Sequence, residues 1–322
     1  MPKPSSVIGI DLGGTNMQVG VVNEKNELLG RAKDKTLAIE GLNPILDRIV
    51  ACIEKACRKA EVDPKELAGV GIGAPGAIDP INGIVIEAPN LRWNGVNLGE
   101  LLARRLGLPV MVENDVNVAA YGEWKLGAGR GVGDLLAIWI GTGIGGGLIL
   151  NHQLYQGANL TAGEAGHMIL FPGNPPGSRS VEHNCSRTAI ADRLKRLIRA
   201  NNPSMLTELT EGNLEEIRAK FIAEAYEKGD ELTRRVVDNA AEMLGTAIAG
   251  IVTLLSLPRV VLGGGLTEAM GEMLASKVRK VVLAEAFPHR AKNVEVVATA
   301  LMDNAGLLGA ALLARESLAR KK

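Results

Sequence analysis

The apolar residues of this chain fall into two periodicities, and these follow one another in the same order twice. Val7–Ile10 is a short unbroken apolar run, Met17–Val22 ("MQVGVV") is a second, and Glu27–Lys33 continues the pattern after a polar turn at 23–26. Short runs bounded by turn residues predict strands, here three joined by hairpins. From Leu42 the spacing changes. Leu42, Ile45, Leu46, Ile49, Val50, Ile53 and Cys57 recur at i, i+3, i+4, which predicts one face of a helix that starts near Asn43-Pro44. Gly69–Gly76 ("GVGIGAPG") then reads as a strand running into a glycine turn.

The second half repeats this order. Leu135–Gly157 ("LLAIWIGTGIGGGLILNHQLYQG") reads as strand, glycine turn, strand, turn, strand. After an inserted region and helices, Arg259–Leu266 ("RVVLGGGL") is again a strand entering glycines. The duplication predicts two related α/β lobes. The copies differ at one informative place: Asp11 precedes Gly13-Gly14-Thr15, whereas Ile140 holds the equivalent place before Gly141-Thr142-Gly143. Between the halves, the strand-like Pro109–Val112 ends in Glu113-Asn114-Asp115. In open α/β sheets the carboxyl ends of strands face the ligand crevice.

Composition narrows the choices. A length of 322 residues suggests two domains. Lys plus Arg and Asp plus Glu number 36 each, so there is no electrostatic reason to expect nucleic acid or an anionic membrane as partner. Aromatics at 3% leave few stacking platforms for single strands. The three cysteines, Cys52, Cys57 and Cys185, are too few for a disulfide framework and point to a reducing cytoplasm. The opening "MPKPSS" has no apolar h-region, so no signal peptide is expected. The longest apolar run, about 244–257, is shorter than the ~18 residues of a spanning helix and reads as a buried core helix.

Glycine turns that expose backbone N–H groups beside a hydroxyl suit phosphate oxygens. Neither turn matches the P-loop pattern G-x-x-x-x-G-K-[ST]. With no lysine placed to neutralise phosphates, a carboxylate-held Mg²⁺ becomes more necessary, and Asp11 is the candidate, directly or through water. Asp115 is placed to accept a proton from an attacking hydroxyl in phosphoryl transfer. Each motif also has a purely structural alternative. Gly-Gly-Thr between strands is often only a hairpin turn. Asp115 reads equally as an N-cap for a helix over 116–124. Glu164 and His167, in "GEAGH", read equally as surface loop.

In order and spacing, "GIDLGGT", "GIGAPGAID" with "NGIVIEAPNL", "VENDVNVAAYGE", "IGTGIGGG", "GEAGHM" and "VVLGGG" resemble the ROK family (repressor, open reading frame, kinase) of sugar kinases. That family lies within the hexokinase–actin ATPase superfamily, and the resemblance runs from Ile8 to about Leu313. It implies an α/β fold of two ribonuclease-H-like (actin-like ATPase) lobes with a cleft between them. The small lobe would span 1–117, completed by a C-terminal helix over about 305–322, and the large lobe 118–304. It further implies an ATP-dependent, Mg²⁺-requiring hexose kinase acting on the 6-hydroxyl of glucose or a related hexose, cytoplasmic and homodimeric. By carry-over, Asp11 is the metal-associated acid. Gly13, Gly14 and Thr15 form the first phosphate turn, and Gly141, Thr142 and Gly143 the second. Gly263, Gly264 and Gly265 lie near the adenosine. Asp115 is the base, and Gly76, Asn90, Asn114, Glu164, His167 and Glu182 line the sugar pocket.

One segment departs from the family. Where three cysteines and a histidine usually bind a structural zinc, this chain has Gly173, Pro175 and Ser180, with Cys185 beyond them. One cysteine cannot build a Cys₃His site, so no structural zinc is expected. The resemblance leaves other acceptors open: N-acetylmannosamine, N-acetylglucosamine, fructose or allose. Two further classes compete with a kinase. A sugar-responsive repressor would carry a helix-turn-helix before the Asp11 motif, and only ten residues precede Asp11, so this is expected not to apply. A chaperone or cytoskeletal ATPase would not need the sugar-pocket residues.

Overall fold

The computed structural model describes residues 6–320. The chain forms two compact units. One comprises the chain up to Arg130, Leu154–Ala162 and the chain from Asn304; the other comprises Gly131–Gln153 and Gly163–Asp303.

In the first unit, β1 (Ser6–Leu12), β2 (Asn16–Val22) and β3 (Leu28–Lys35) form an antiparallel meander. Helix α1 (Leu42–Ala60) carries the chain back to β4 (Leu67–Ala74), which lies parallel to β1. The α1 stripe is buried as its periodicity requires: Ile45, Leu46, Ile49 and Ile53 pack with Ile8, Ile10, Val19, Ile72 and Val112. Burial of one such side chain is worth about 1.5–3 kcal/mol. The helix ends where Glu61 turns left-handed (φ 55°) and its N–H reaches the Cys57 and Arg58 carbonyls. A small sheet follows, formed by β5 (Ala77–Asp79), β6 (Ile84–Ala88) and β7 (Trp93–Val96). The sequence pattern did not predict it. Helix α2 (Leu98–Leu106) leads to β8 (Val110–Asn114), parallel to β4, and α3 (Asp115–Leu126) follows directly. The large sheet has the order β3-β2-β1-β4-β8.

The second unit repeats that arrangement. β9 (Leu135–Ile140), β10 (Ile144–Leu150) and β11 (Gln153–Leu154) are followed by β12 (Arg259–Gly263) and β13 (Glu295–Ala298), in the order β11-β10-β9-β12-β13. The inserted region holds α4 (Val181–Cys185), α5 (Arg187–Arg199), α6 (Leu206–Leu209), α7 (Ala219–Glu227) and α8 (Glu231–Leu255). Among the described residues, α8 is the one helix long and apolar enough to cross a membrane. Its Leu244, Ile248 and Val252 are buried in the core of this unit, as a core helix requires. α9 (Gly265–Met270) and α10 (Glu272–Glu285) connect β12 to β13.

The chain then returns to the first unit as α11 (Ala305–Arg320). This helix lies against β1, β4 and α3 at very close range. A Cβ added at Gly9 would stand 2.0 Å from the Leu307 carbonyl oxygen, at Gly71 1.9 Å from that of Ala310, and at Gly309 1.7 Å from that of Val118. These contacts place α3 with the first unit, so the expected boundary at 117 falls inside a helix and the unit continues to Arg130. Leu154–Ala162 also belongs here, where the Gln156 amide donates to the Glu113 carboxylate.

Candidate functional site

Three parallel strands of the first unit end side by side. Asp11 pairs with Gly73, and Gly73 with Glu113. Neighbouring strands lie ~4.8 Å apart, so Asp11 and the end of β8 sit about 10 Å apart on one edge of the sheet. A Cβ at residue 306 would stand 3.0 Å from the Asp11 Oδ2, so Gly306 lets the start of α11 lie close against the carboxylate. The first glycine turn is closed by Gly13 N–H to the Asn16 carbonyl at 2.9 Å. Buried Thr36 braces it: its hydroxyl donates to the Gly13 carbonyl at 2.6 Å and its N–H to that of Thr15 at 2.9 Å. Asn90 lies against this turn, its Cβ 3.0 Å from where a Gly14 Cβ would stand.

At the end of β8 the helix cap belongs to Asn114, not to Asp115. The Asn114 Oδ1 accepts the N–H groups of Val116 at 2.9 Å and Asn117 at 3.0 Å, and its Nδ2 donates to the Gly76 carbonyl at 3.1 Å. Asp115 is the first helical residue, and one of its oxygens accepts the Val116 N–H at 2.9 Å. Gly76 has φ 95°, and a Cβ there would stand 2.1 Å from the Glu87 carbonyl oxygen, so glycine is required. Glu113 is 4% exposed and accepts from the Asn114 N–H, the Asn117 amide and Gln156. Burial nevertheless pushes its carboxyl above the usual range, the hydrogen bonds opposing.

In the second unit, Ile144 is the meeting point. Its N–H donates to Glu182 Oε2 at 2.8 Å. Its carbonyl oxygen faces Gly166, where a Cβ would stand 2.0 Å away. Gly166 lies in the short 3₁₀ turn Ala165–His167, so Glu164 and His167 flank the same strand start. Their side chains lie 3.9 Å apart and are well exposed. The second glycine turn is closed by Gly141 N–H to the Gly143 carbonyl at 2.9 Å, and Thr142 projects from it. The third glycine run lies beside it, since Gly263 pairs with Trp139 and a Cβ on Gly264 (φ 83°) would stand 2.6 Å from the Ile140 nitrogen. Gly265 faces open space. A cavity of about 670 Å³ opens next to Thr142, bordered by Glu182, Ser186, Lys195, Arg196 and Arg199.

The residues thus form two sets. Asp11, Gly13, Gly14, Thr15, Gly76, Asn90, Asn114 and Asp115 belong to the first unit. Gly141, Thr142, Gly143, Glu164, His167, Glu182, Gly263, Gly264 and Gly265 belong to the second. Sequence reasoning missed Thr36 and Arg187. The Arg187 N–H donates to the Gly141 carbonyl at 3.1 Å and its guanidinium to the Thr142 hydroxyl at 3.0 Å.

The segment that lacks the family's cysteines is held by hydrogen bonds. Ile169 and Ser180 form a β-bridge. Ser180 caps α4 in a capping box with His183, the two side chains 2.9 Å apart. Asn184 donates to the carbonyls of Ser178 at 3.1 Å and Ser180 at 2.8 Å, and Arg179 donates to that of Asn174. Cys185 is buried among apolar residues, which pushes its thiol up to about 12. Among the described residues, no group of three or more His, Cys, Asp or Glu is arranged to hold a metal ion. Mg²⁺ does not need such a group, because it keeps several waters and takes one or two carboxylates plus substrate phosphates. Asp11, close against Gly306 and next to the first glycine turn, offers one such carboxylate.

The ROK family model matches residues 7–317. A glucokinase of Thermotoga maritima is 36% identical, with 99% of each chain covered. A xylose repressor of Caldicellulosiruptor bescii is 30% identical over 94% of this chain and 76% of its own length. A ROK family glucokinase of Streptomyces griseus, solved with glucose and AMPPNP, superposes with a TM-score of 0.85 at 34% identity, covering 97% of this chain and 99% of that one. With the duplicated sheet order, the glycine turns at the strand ends and a family match over nearly its whole length, the chain belongs to the ROK family.

Proposed function

We propose that this protein is a sugar kinase that transfers the γ-phosphoryl group of ATP to the 6-hydroxyl of glucose. The observation that carries this reading is the placement of Asp11 and Asp115 on one edge of one sheet, each at a strand end and in different surroundings. Asp11 stands beside a glycine turn, whereas Asp115 opens α3 beside Asn114 and Gly76. Asp115 accepts the proton of the sugar 6-hydroxyl as that oxygen attacks the γ-phosphorus. The bond from phosphorus to the bridging oxygen breaks, and ADP leaves with that electron pair. Such a base contributes about 10²–10⁴-fold to the rate.

The two glycine turns donate N–H groups to the phosphates, and the Gly263–Gly265 run takes the adenosine side. Mg²⁺ held through Asp11 would supply neutralising charge to the phosphates. Asn114, Glu164, His167 and Glu182, with Gly76 and Asn90, hold the hydroxyls, because each hydroxyl both donates and accepts. The glucokinases of Thermotoga maritima and Streptomyces griseus support glucose as acceptor.

A coupled ADP-release assay tests this across glucose, mannose, fructose, allose, N-acetylglucosamine and N-acetylmannosamine, with and without Mg²⁺. The expected result is Mg²⁺-dependent ADP release with the highest kcat/KM for glucose. A different preferred hexose would move the substrate assignment, and absence of sugar-stimulated ADP release would remove the kinase reading.

A further inference from the structure

Arg187 opens α5 and is tied to the second glycine turn at two points. Its main chain holds the Gly141 carbonyl at 3.1 Å and its guanidinium holds the Thr142 hydroxyl at 3.0 Å. The charge is therefore fixed at the turn. Of the basic residues further along the same helix, Lys195 pairs with Asp192 at 3.2 Å and Glu215 at 2.9 Å, Arg199 pairs with Glu215 at 2.8 Å, and Arg193 donates to the Asn239 amide oxygen at 2.8 Å. Among the described residues, no carboxylate pairs with Arg187. A guanidinium has five donors, and one is used here, so most of its donor capacity is available to a ligand. The Thr142 hydroxyl that accepts from Arg187 keeps its own proton to donate onward. Together they offer a fork of charged and neutral donors beside the turn's backbone N–H groups, which is the donor set that suits an oligophosphate.

We propose that Arg187 is a donor-binding residue that engages the phosphate chain of the nucleoside triphosphate at the second glycine turn. This rests on the kinase reading above, and it supplies a fixed protein cation for the phosphates in addition to any metal at Asp11.

The test titrates ATP and AMP, each with Mg²⁺, into the sugar-free protein and into its Arg187→Ala and Arg187→Lys variants by calorimetry. Arg187→Ala is expected to weaken ATP binding about tenfold or more and AMP binding much less, since charge-assisted bonds to the outer phosphates are lost. Arg187→Lys should recover part of the ATP affinity. In turnover, the KM for ATP should rise in parallel while the KM for glucose stays within about twofold. Unchanged ATP affinity in Arg187→Ala, or equal losses for ATP and AMP, would overturn the inference and leave the kinase reading standing. Failure of the unaltered protein to bind ATP at all would overturn both.

Discussion

Glu182 accepts the backbone N–H of Ile144 at 2.8 Å, so its carboxylate is anchored on the strand that leaves the second glycine turn. The carboxylate also fills the space over Gly143, where a Cβ would stand 2.2 Å from Oε2. A residue assigned to the sugar is thus a structural part of a turn assigned to the phosphates. Glu182→Ala should raise the KM for both glucose and ATP, each by about tenfold. Glu182→Gln keeps an oxygen that can accept from Ile144, so it should restore the ATP KM more fully than the glucose KM. Steady-state kinetics with each substrate varied in turn would check this, and an unchanged ATP KM in Glu182→Ala would contradict it.

The packing of α11 makes a second prediction. Gly309 meets the Val118 carbonyl so closely that a methyl group must displace one helix, whereas Gly250 in α8 has nothing within 4 Å. Gly309→Ala should lower stability by about 1–3 kcal/mol or more. Gly250→Ala should be neutral or stabilising by up to about 1 kcal/mol. Urea unfolding of the two variants should move the midpoint in opposite directions or in one only, and equal losses would refute the account of α11.

Which parts of this were legible from sequence follows from where the contacts lie. The α1 stripe was readable because one helix face packs against one sheet, so Ile45 to Ile53 carry the period themselves. The duplicated sheets were readable for the same reason. The small sheet was not, since Ile86 of β6 is 42% exposed and the apolar run there does not map onto a buried face. β13 has only four residues, too few for a period to register. In the site, Asp11 and Asn114 stood out as polar groups ending apolar strands. Thr36 and Arg187 did not, because they reach their turns from 23 and 45 residues away, and only the folded topology brings them there. Asn114 took the cap because its side chain precedes the first helical residue, a position that the acid at 115 has already passed.

Glu113 gives a pH prediction. Burial raises its folded-state pKa above the unfolded value. A raised carboxyl contributes stability that is fully present below the unfolded pKa and is lost as pH rises through the folded pKa. Glu113→Gln removes the titration. The melting temperature of the unaltered protein minus that of Glu113→Gln should therefore fall as pH rises from about 4 to 7. A difference that grows with pH would mean that the three hydrogen bonds to Glu113 outweigh its burial.

Asp115→Asn isolates the removal of the sugar's proton by replacing the proposed base with a neutral side chain of nearly the same shape. The measurement is the turnover number of Asp115→Asn with saturating ATP, Mg²⁺ and glucose, alongside glucose affinity by calorimetry. With Asp115 as the base, kcat should fall about 10²–10⁴-fold with glucose binding kept within about tenfold. Turnover within a few-fold of the unaltered protein would contradict it.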